Sequence, residues 1–455
     1  MESEQIPGFN HALIDVSKGQ LEELEHVESV YGCIADEDFF NNIPEINQRV
    51  QNIAEVSNQN FSAGLMDKTS ILKRTRLLNE SDQISYEVFV KINNTQTRSS
   101  VPSGMKTVDR RKITDQKVAM RYEYEHAKFW NEVGLPVPKV FAGIIDDNDH
   151  AAIISEFLDQ DTLQIDMLAL SEKISDLSRY GNNGHTQKDL NTLNEQTNAI
   201  ILAAADTIGD FALDGGSLYI EKRRTNSCCP TMIQRKPEYF ALKTKSHLER
   251  IIKESKKTID REKVFGLFDT LIEPLINYNL ITSPFRAVYG QHDEYFNNMS
   301  VQNVNGGFVV KFFDAENASY GPWWHSMAKL LFAPELALPN DRIEELFFTA
   351  HKTMVERIYE GQYASLAGTT LTDGQTSTQY LEDYTNYSEQ LIRFDLARVH
   401  EIINTVGKRI RDSYSEKYDE MIQSEGTRGD AITRGRPMPY NHMRSAIAYP
   451  TYSRA

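Results

Sequence analysis

The sequence predicts an α+β fold in two lobes, a small mixed α/β N-lobe built on an antiparallel sheet and a larger, mainly helical C-lobe. Three observations carry that prediction. Clean period-two alternation belongs to the first part of the chain, where Ile84, Tyr86, Val88, Val90 and Ile92 oppose Ser85, Glu87, Phe89 and Lys91. Beyond Leu158 the apolar residues recur at helical spacing instead. Asn305-Gly306-Gly307, set between the apolar-rich runs Met299–Val304 and Phe308–Phe313, marks a β-hairpin within the helical part.

At 455 residues the chain is too long for one ordinary core and suits two or three packed units. Its net charge of -16 argues against a nucleic-acid-binding surface. The chain opens without the basic and apolar pattern of a secretory leader, and no apolar run approaches the roughly 20 residues of a spanning helix. A cytoplasmic protein without a membrane partner is the expectation. Cys33, Cys228 and Cys229 are odd in number and lack CxxC spacing, so neither a disulfide framework nor structural zinc is expected.

In chain order, residues 1–44 are polar and acidic and read as an N-terminal extension. The N-lobe, 45–157, opens with a short helix at Ile46–Val56, a loop at Ser57–Gly64 and a strand at Thr69–Leu77. The alternating strand Gln83–Ile92 follows, placing Lys91 away from that strand's apolar side. After the polar loop Asn93–Lys112, Val118, Tyr122, Phe129 and Val133 recur at helical spacing, until Gly134 and Pro136 stop the helix. Pro138–Gly143 and Ala151–Phe157 read as strands around an acidic turn. The C-lobe, 158–423, carries helical patterns at Asn191–Phe211, Glu238–Ser255, Val264–Asn279, Met327–Ala333, Asp341–Tyr363 and Ser377–Gln423. Tyr180–His185 and Asp214–Gly216 read as loops, and 424–455 as a basic tail.

The chemistry concentrates at the hairpin. Asn298 and Asp314 each lie eight positions from Gly306, so strand pairing is expected to bring both to its open end, where their oxygens could share a hard divalent cation. Asp293 precedes Asn298 by five residues. That D-x-x-x-x-N spacing is used in phosphotransferase catalytic loops, with aspartate as base and asparagine as metal ligand.

Four segments in order, YEVFVKI at Tyr86–Ile92, RYEYEHAKFWNEVGLPVPKVFAG at Arg121–Gly143, HDEYFNN at His292–Asn298 and FFDAENASYGP at Phe312–Pro322, resemble the aminoglycoside phosphotransferase and choline kinase superfamily. This is the small-molecule branch of the protein-kinase-like fold, and the resemblance spans Ile46 to Phe332. It implies transfer of the γ-phosphoryl group of ATP, with Mg2+, to a hydroxyl of a small molecule. Lys91 would hold the α- and β-phosphates, its charge fixed by Glu123 of the following helix, with Glu125 in reserve. Asp293 would act as base, and Asn298, Asp314 and Glu316 would serve the metal. Ser62 and main-chain N–H groups of the Ser57–Gly64 loop would cover the phosphates, while Ser155 and Phe157, in the segment Ser155–Leu158, would meet the base. Tyr295, Trp323 and Trp324 could wall the acceptor. Gln291 stands where kinases usually carry histidine, and His325 replaces the aspartate that anchors the catalytic loop in relatives. A catalytically silent, nucleotide-binding scaffold therefore stays open as the alternative.

Overall fold

A computed structural model of the chain describes residues 13–15, 29–60, 70–79, 85–93, 116–146, 150–158, 163–180, 184–216, 218–219, 237–254, 260–272, 288–290, 293–315, 318–321, 323–333, 336, 338–359, 386–388, 390–395, 397–399, 401 and 403. Ser62, Cys228, Cys229, Gln291, Glu316, most of the expected Ser377–Gln423 helix and the 424–455 tail lie outside the described residues. The chain divides into two compact units, Met1–Asp159 with Phe313–Glu316, and Gln160–Phe312 with Asn317–Ala455. Among the described residues no helix is long and apolar enough to cross a membrane.

The first unit is a sheet packed on both faces. Its strands are β1 (Leu13–Asp15), β2 (Ile53–Asn60), β3 (Ser70–Asn79), β4 (Ser85–Asn93), β5 (Val140–Ile145) and β6 (Ala151–Glu156), in the order β1-β5-β6-β4-β3-β2. The β2-to-β5 ladder is antiparallel throughout, and β1 adds a parallel edge against β5. Period-two alternation sorts the side chains. Val88, Val90 and Ile92 of β4 are fully buried on one face with Leu77, Ile144 and Ile154. The opposite face packs Ile145, Ala151 and Ile153 against Met120 and Tyr124 of helix α4 (Gln116–Glu132).

The first face is covered by three one-turn helices, α1 (Val30–Cys33), α2 (Glu37–Asn41) and α3 (Pro44–Asn47). Helices this short need caps to persist. Ser29 Oγ accepts from Gly32 N at 3.1 Å, Asp36 Oδ1 accepts from Phe39 N at 2.8 Å, and Pro44 opens α3. Val30, Cys33, Ile34, Phe39, Phe40 and Ile46 are all buried in the sheet's core. Asp146, also fully buried, accepts from Val30 N at 3.1 Å, His150 N at 3.0 Å and His150 Nδ1 at 3.1 Å, tying α1 to the end of β5. The expected N-terminal extension thus contributes to the core through Ile14, Val30, Cys33, Ile34, Phe39, Phe40 and Ile43, because the sheet's apolar face needs a lid that α4, on the other side, cannot supply.

Two local expectations also change. Only Pro44–Asn47 is helical in the Ile46–Val56 region, where Asn52 adopts φ 54° and turns the chain into β2. Ser57–Asn60 belong to β2, paired with Arg76–Lys73, rather than to a loop. An edge strand with a solvated face needs few apolar residues, so its polarity resembled that of a loop. Helix α4 does stop at Gly134, which takes φ 76°, with Leu135 N donating to Trp130 O and Gly134 N to Asn131 O.

The second unit is mainly helical. Its elements are α5 (Leu163–Tyr180), α6 (Gly184–Asp210) with a π-helical turn at Phe211–Gly215, α7 (Pro237–Glu254), α8 (Arg261–Leu267), the pair β7 (Val288–Gly290) and β10 (Ser319–Gly321), the hairpin β8 (Met299–Val304) and β9 (Gly307–Phe312), α9 (Trp323–Leu331) and α10 (Asn340–Tyr359). Helix α5 was not foreseen, and α6 begins inside the expected Tyr180–His185 loop. Asn305 (φ 53°) and Gly306 (φ 84°) form the left-handed turn that an Asn-Gly hairpin requires. The buried residues Ile201, Ala204, Ala205 and Ile208 line α6, which also holds the hairpin: Thr207 Oγ1 donates to Val310 O at 3.0 Å and Phe211 stacks on Phe312 at 5.6 Å. From α10, Arg357 reaches Asp210 and Asp214, each at 2.9 Å.

Two measurements test this packing. Asp146→Ala strips three donors of their acceptor and is expected to destabilise the protein by about 2 kcal/mol in urea unfolding; a loss within error of zero contradicts its role as the tie. Burial pushes the Asp210 carboxyl up to about 6, against the opposing pull of Arg357 and with Asp214 and Asp206 reinforcing it. The folded protein then keeps a proton that the unfolded chain releases near pH 4, so stability falls as pH rises from about 4 to about 6. Asp210→Asn is expected to gain on the wild type across that window, and a pH-independent difference between the two refutes the assignment.

Candidate functional site

Two groups of chemically active side chains stand out, one in each unit. In the first unit Lys91 lies near the end of β4, in register with Leu72 of β3 and Ile153 of β6 and therefore on the face that carries α4. On α4, Met120 and Tyr124 pack against that same face, and Glu123, three residues after the first and one before the second, is turned the same way. Lys91 Nζ meets Glu123 Oε1 at 3.0 Å and Asp314 Oδ1 at 2.8 Å. The side chains of Lys91, Glu123 and Asp314 are 12%, 8% and 26% exposed, so the three charges are largely withdrawn from water. Glu125 points elsewhere, pairing with Arg121 at 2.9 Å on the solvent side.

Asp314 follows β9 with φ 67°, in the left-handed region. Such a conformation costs a non-glycine residue about 1 kcal/mol or more, and Asp and Asn tolerate it best. One ammonium between two carboxylates leaves a net negative group, suited to a further cation.

Ser155 and Phe157 lie at the end of β6. Ser155 is half-buried and in register with Phe89, while the Phe157 ring lies 4.7 Å from the Arg74 guanidinium, itself paired with Glu87 at 2.6 Å. Phe89, half-buried two residues before Lys91, lies on the same strand face as the alternation predicts, though it was not singled out for the site. Ser62 and Glu316 lie outside the described residues.

In the second unit the D-x-x-x-x-N spacing closes on itself. Asn298 Nδ2 donates to both Asp293 O and Asp293 Oδ2 at 3.0 Å, across a 3-10 turn at Phe296–Asn298. With its amide nitrogen committed there, Asn298 Oδ1 is the atom left to accept, and Asn297 Nδ2 donates to it at 3.1 Å. The hairpin pairs Met299 with Phe312, so Asn298 immediately precedes that rung and Asp314 follows it by two residues. Helix α9, buried at all nine residues, supports the loop with polar side chains. Ser326 Oγ donates to Glu294 Oε1 at 2.7 Å, and Lys329 Nζ approaches Asp293 Oδ1 at 3.4 Å. His325 Nε2 lies 3.1 Å from Glu401 Oε1, at ion-pair distance though off the line of a hydrogen bond, and Tyr295 donates its hydroxyl to Glu401 Oε2 at 3.3 Å.

These contacts correct one expectation. Trp323 and Trp324 are 2% and 7% exposed, and Trp323 stacks on Phe347 while its indole N–H donates to Gln390; both rings are core, so they do not wall an acceptor. His325 is packed beside them, and through Glu401 it also reaches the loop. Ser326, Lys329, Glu294 and Glu401 were not singled out from the sequence. A signal existed for two of them, since Ser326 and Lys329, with His325, interrupt the apolar residues of the WWHSMAKLL helix.

Among the described residues no group of three or more His, Cys, Asp or Glu converges into a metal cage. Mg2+ needs no such cage, because it keeps several waters and takes one or two protein oxygens together with phosphates. In the second unit the amide oxygen of Asn298, and in the first the carboxylates of Glu123 and Asp314, are each of the oxygen type it takes. Cys33 offers no nucleophile, as burial pushes its thiol up to about 12.

No protein-family model matches the chain, and no curated protein does. Solved structures similar to it include Plasmodium vivax ethanolamine kinase, at 12% identity over 86% of this chain and 81% of that one with a TM-score of 0.40. A streptomycin–ATP complex of APH(2")-IIa matches at 11% identity over 86% and 96% with a TM-score of 0.37, and a thermostable mutant of aminoglycoside phosphotransferase APH(4)-Ia at 12% over 84% and 96% with 0.36. At these values the likeness assigns no residue a role, and the functional reading rests on side-chain geometry.

Asp314→Asn keeps a residue that tolerates the left-handed region, whereas Asp314→Ala does not. The alanine variant is expected to be less stable than the asparagine variant by about 1 kcal/mol in thermal or urea unfolding. Equal stabilities would remove the case for a backbone held under strain at this position.

Proposed function

We propose that the chain is an ATP- and Mg2+-dependent phosphotransferase that moves the γ-phosphoryl group to a hydroxyl of a small molecule. The observation that carries this reading is the Lys91 ammonium held between Glu123 and Asp314. A strand lysine pinned by a helix carboxylate is the arrangement by which kinases present a fixed cation to the α- and β-phosphates, with a carboxylate after a later strand kept for the metal. The closed Asp293–Asn298 pair supports the same reading, as does the sequence resemblance to the aminoglycoside phosphotransferase and choline kinase superfamily.

Phosphoryl transfer passes through a loose transition state, so positioning and charge neutralisation do most of the catalysis. Lys91 holds the triphosphate, and Glu123 keeps the ammonium from swinging away. Asp293 orients the acceptor hydroxyl and takes its proton at a carboxylate oxygen. Asn298, Asp314 and Glu316 would hold Mg2+, which supplies neutralisation of charge on the β- and γ-phosphates when bound. Phe89 and Phe157 would offer rings to the nucleotide base, Ser155 and its backbone would meet it beside them, and Ser62 would contact the phosphates.

The scaffold alternative drew on Gln291, the single glycine of the Ser57–Gly64 segment and His325. The polar contacts from α9 to Glu294 and Asp293, and from Glu401 to Tyr295, weigh against it, because a loop secured at three successive residues no longer needs the relatives' aspartate.

Incubating the protein with a metabolite extract and isotopically labelled ATP, read by mass spectrometry, is expected to reveal one labelled small-molecule product. Asp293→Asn should lower its formation by about 10²- to 10⁴-fold while nucleotide binding, measured by calorimetry, is retained. Nucleotide binding without transfer to any of a broad panel of metabolites would favour the scaffold instead.

A further inference from the structure

Lys329 is a charged residue where packing alone would place Leu or Met. Its side chain is 1% exposed on a helix whose nine residues are all buried, and Nζ lies 3.4 Å from Asp293 Oδ1 and 5.1 Å from the centre of the Tyr295 ring. The Asp293 side chain, by contrast, is 26% exposed. Its two carboxylate oxygens are thus held from different directions: Asn298 Nδ2 donates to Oδ2 at 3.0 Å, and the Lys329 ammonium approaches Oδ1 from the buried side.

A desolvated ammonium is expensive to bury and is retained where it is paired and useful. This one cannot turn out to solvent, so its charge stands at a fixed place beside the carboxylate proposed as base. On that reading of the site, on which this inference rests, negative charge collects on the transferring phosphoryl oxygens, and a cation already in place needs no reorganisation when it does. An aspartate held at both oxygens also presents a fixed direction to the acceptor hydroxyl, which matters more in a loose transition state than the strength of the base.

We propose that Lys329 is a positioning residue of the transfer site, acting through Asp293: it fixes the carboxylate's orientation and supplies a buried positive charge behind it. No covalent step is assigned to it.

The experiment uses the full chain with MgATP, water standing in for the unidentified acceptor, and release of phosphate as the readout. Lys329→Gln keeps a neutral donor near Asp293 without the charge, and Lys329→Met removes both. Each is expected to lower kcat by about 100-fold with the KM for ATP changed less than about 3-fold. Lys329→Arg, which keeps the charge, is expected to remain within about 10-fold of the wild type. In an Asp293→Asn background the Lys329→Gln change should cost less than about 3-fold, since the group it acts through has lost its charge. If Lys329→Met does not fold, the glutamine variant still decides: wild-type kcat in it, or full additivity with Asp293→Asn, overturns the role. A wild type that turns over no ATP either with water or with the metabolite extract overturns the proposed function and this role with it, whereas an active wild type with an equally active Lys329→Gln overturns the role alone.

Discussion

Burying one ammonium between two carboxylates constrains the first unit more than any apolar contact does. Lys91 contacts Glu123 and Asp314 at about hydrogen-bond length, so the end of β4, the middle of α4 and the residues after β9 must meet at one point. Apolar packing tolerates small slips, whereas a paired charge that loses a partner is left desolvated at a cost of about 3 kcal/mol or more. Asp314 takes a left-handed backbone, φ 67°, at that meeting point. The same three charges form the group most suited to a triphosphate and its cation, so one interaction bears on both stability and chemistry.

The sheet that presents Lys91 depends in turn on residues that carry no chemistry. Val88, Val90 and Ile92 need cover on the face away from α4, and the one-turn helices between Val30 and Asn47 provide it. Asp146 reaches the first of these helices through its backbone, and Asn41 brackets Ile53, accepting from its N–H at 2.9 Å and donating to its carbonyl at 3.0 Å. Side-chain amides and carboxylates thus fasten segments too short to be stable alone.

In the second unit the loop Asp293–Tyr295 is held from α9 and Glu401 by contacts to three successive residues. A polar network inside an apolar helix layer is costly unless satisfied, and satisfied it admits few alternative geometries. His325 lies 3.1 Å from Glu401, the carboxylate that also accepts from the Tyr295 hydroxyl of the loop.

Much was legible from local pattern. The strands β3, β4, β5 and β6, helix α4 with its stop at Gly134, the Asn305-Gly306 hairpin and the Asp293-to-Asn298 spacing follow from periodicity and turn chemistry, which short stretches of sequence carry by themselves. Lys91 and Glu123 were singled out by position, yet only the tertiary structure separated Glu123 from Glu125, because the choice turns on which side of α4 faces the sheet. The packing of residues 29–50 against that sheet, the burial of Trp323 and Trp324, and the approach of Lys329 and Glu401 to the loop were decided by three-dimensional packing alone. Glu401 lies more than a hundred residues from Tyr295, and no local periodicity encodes which distant polar groups will share a buried layer.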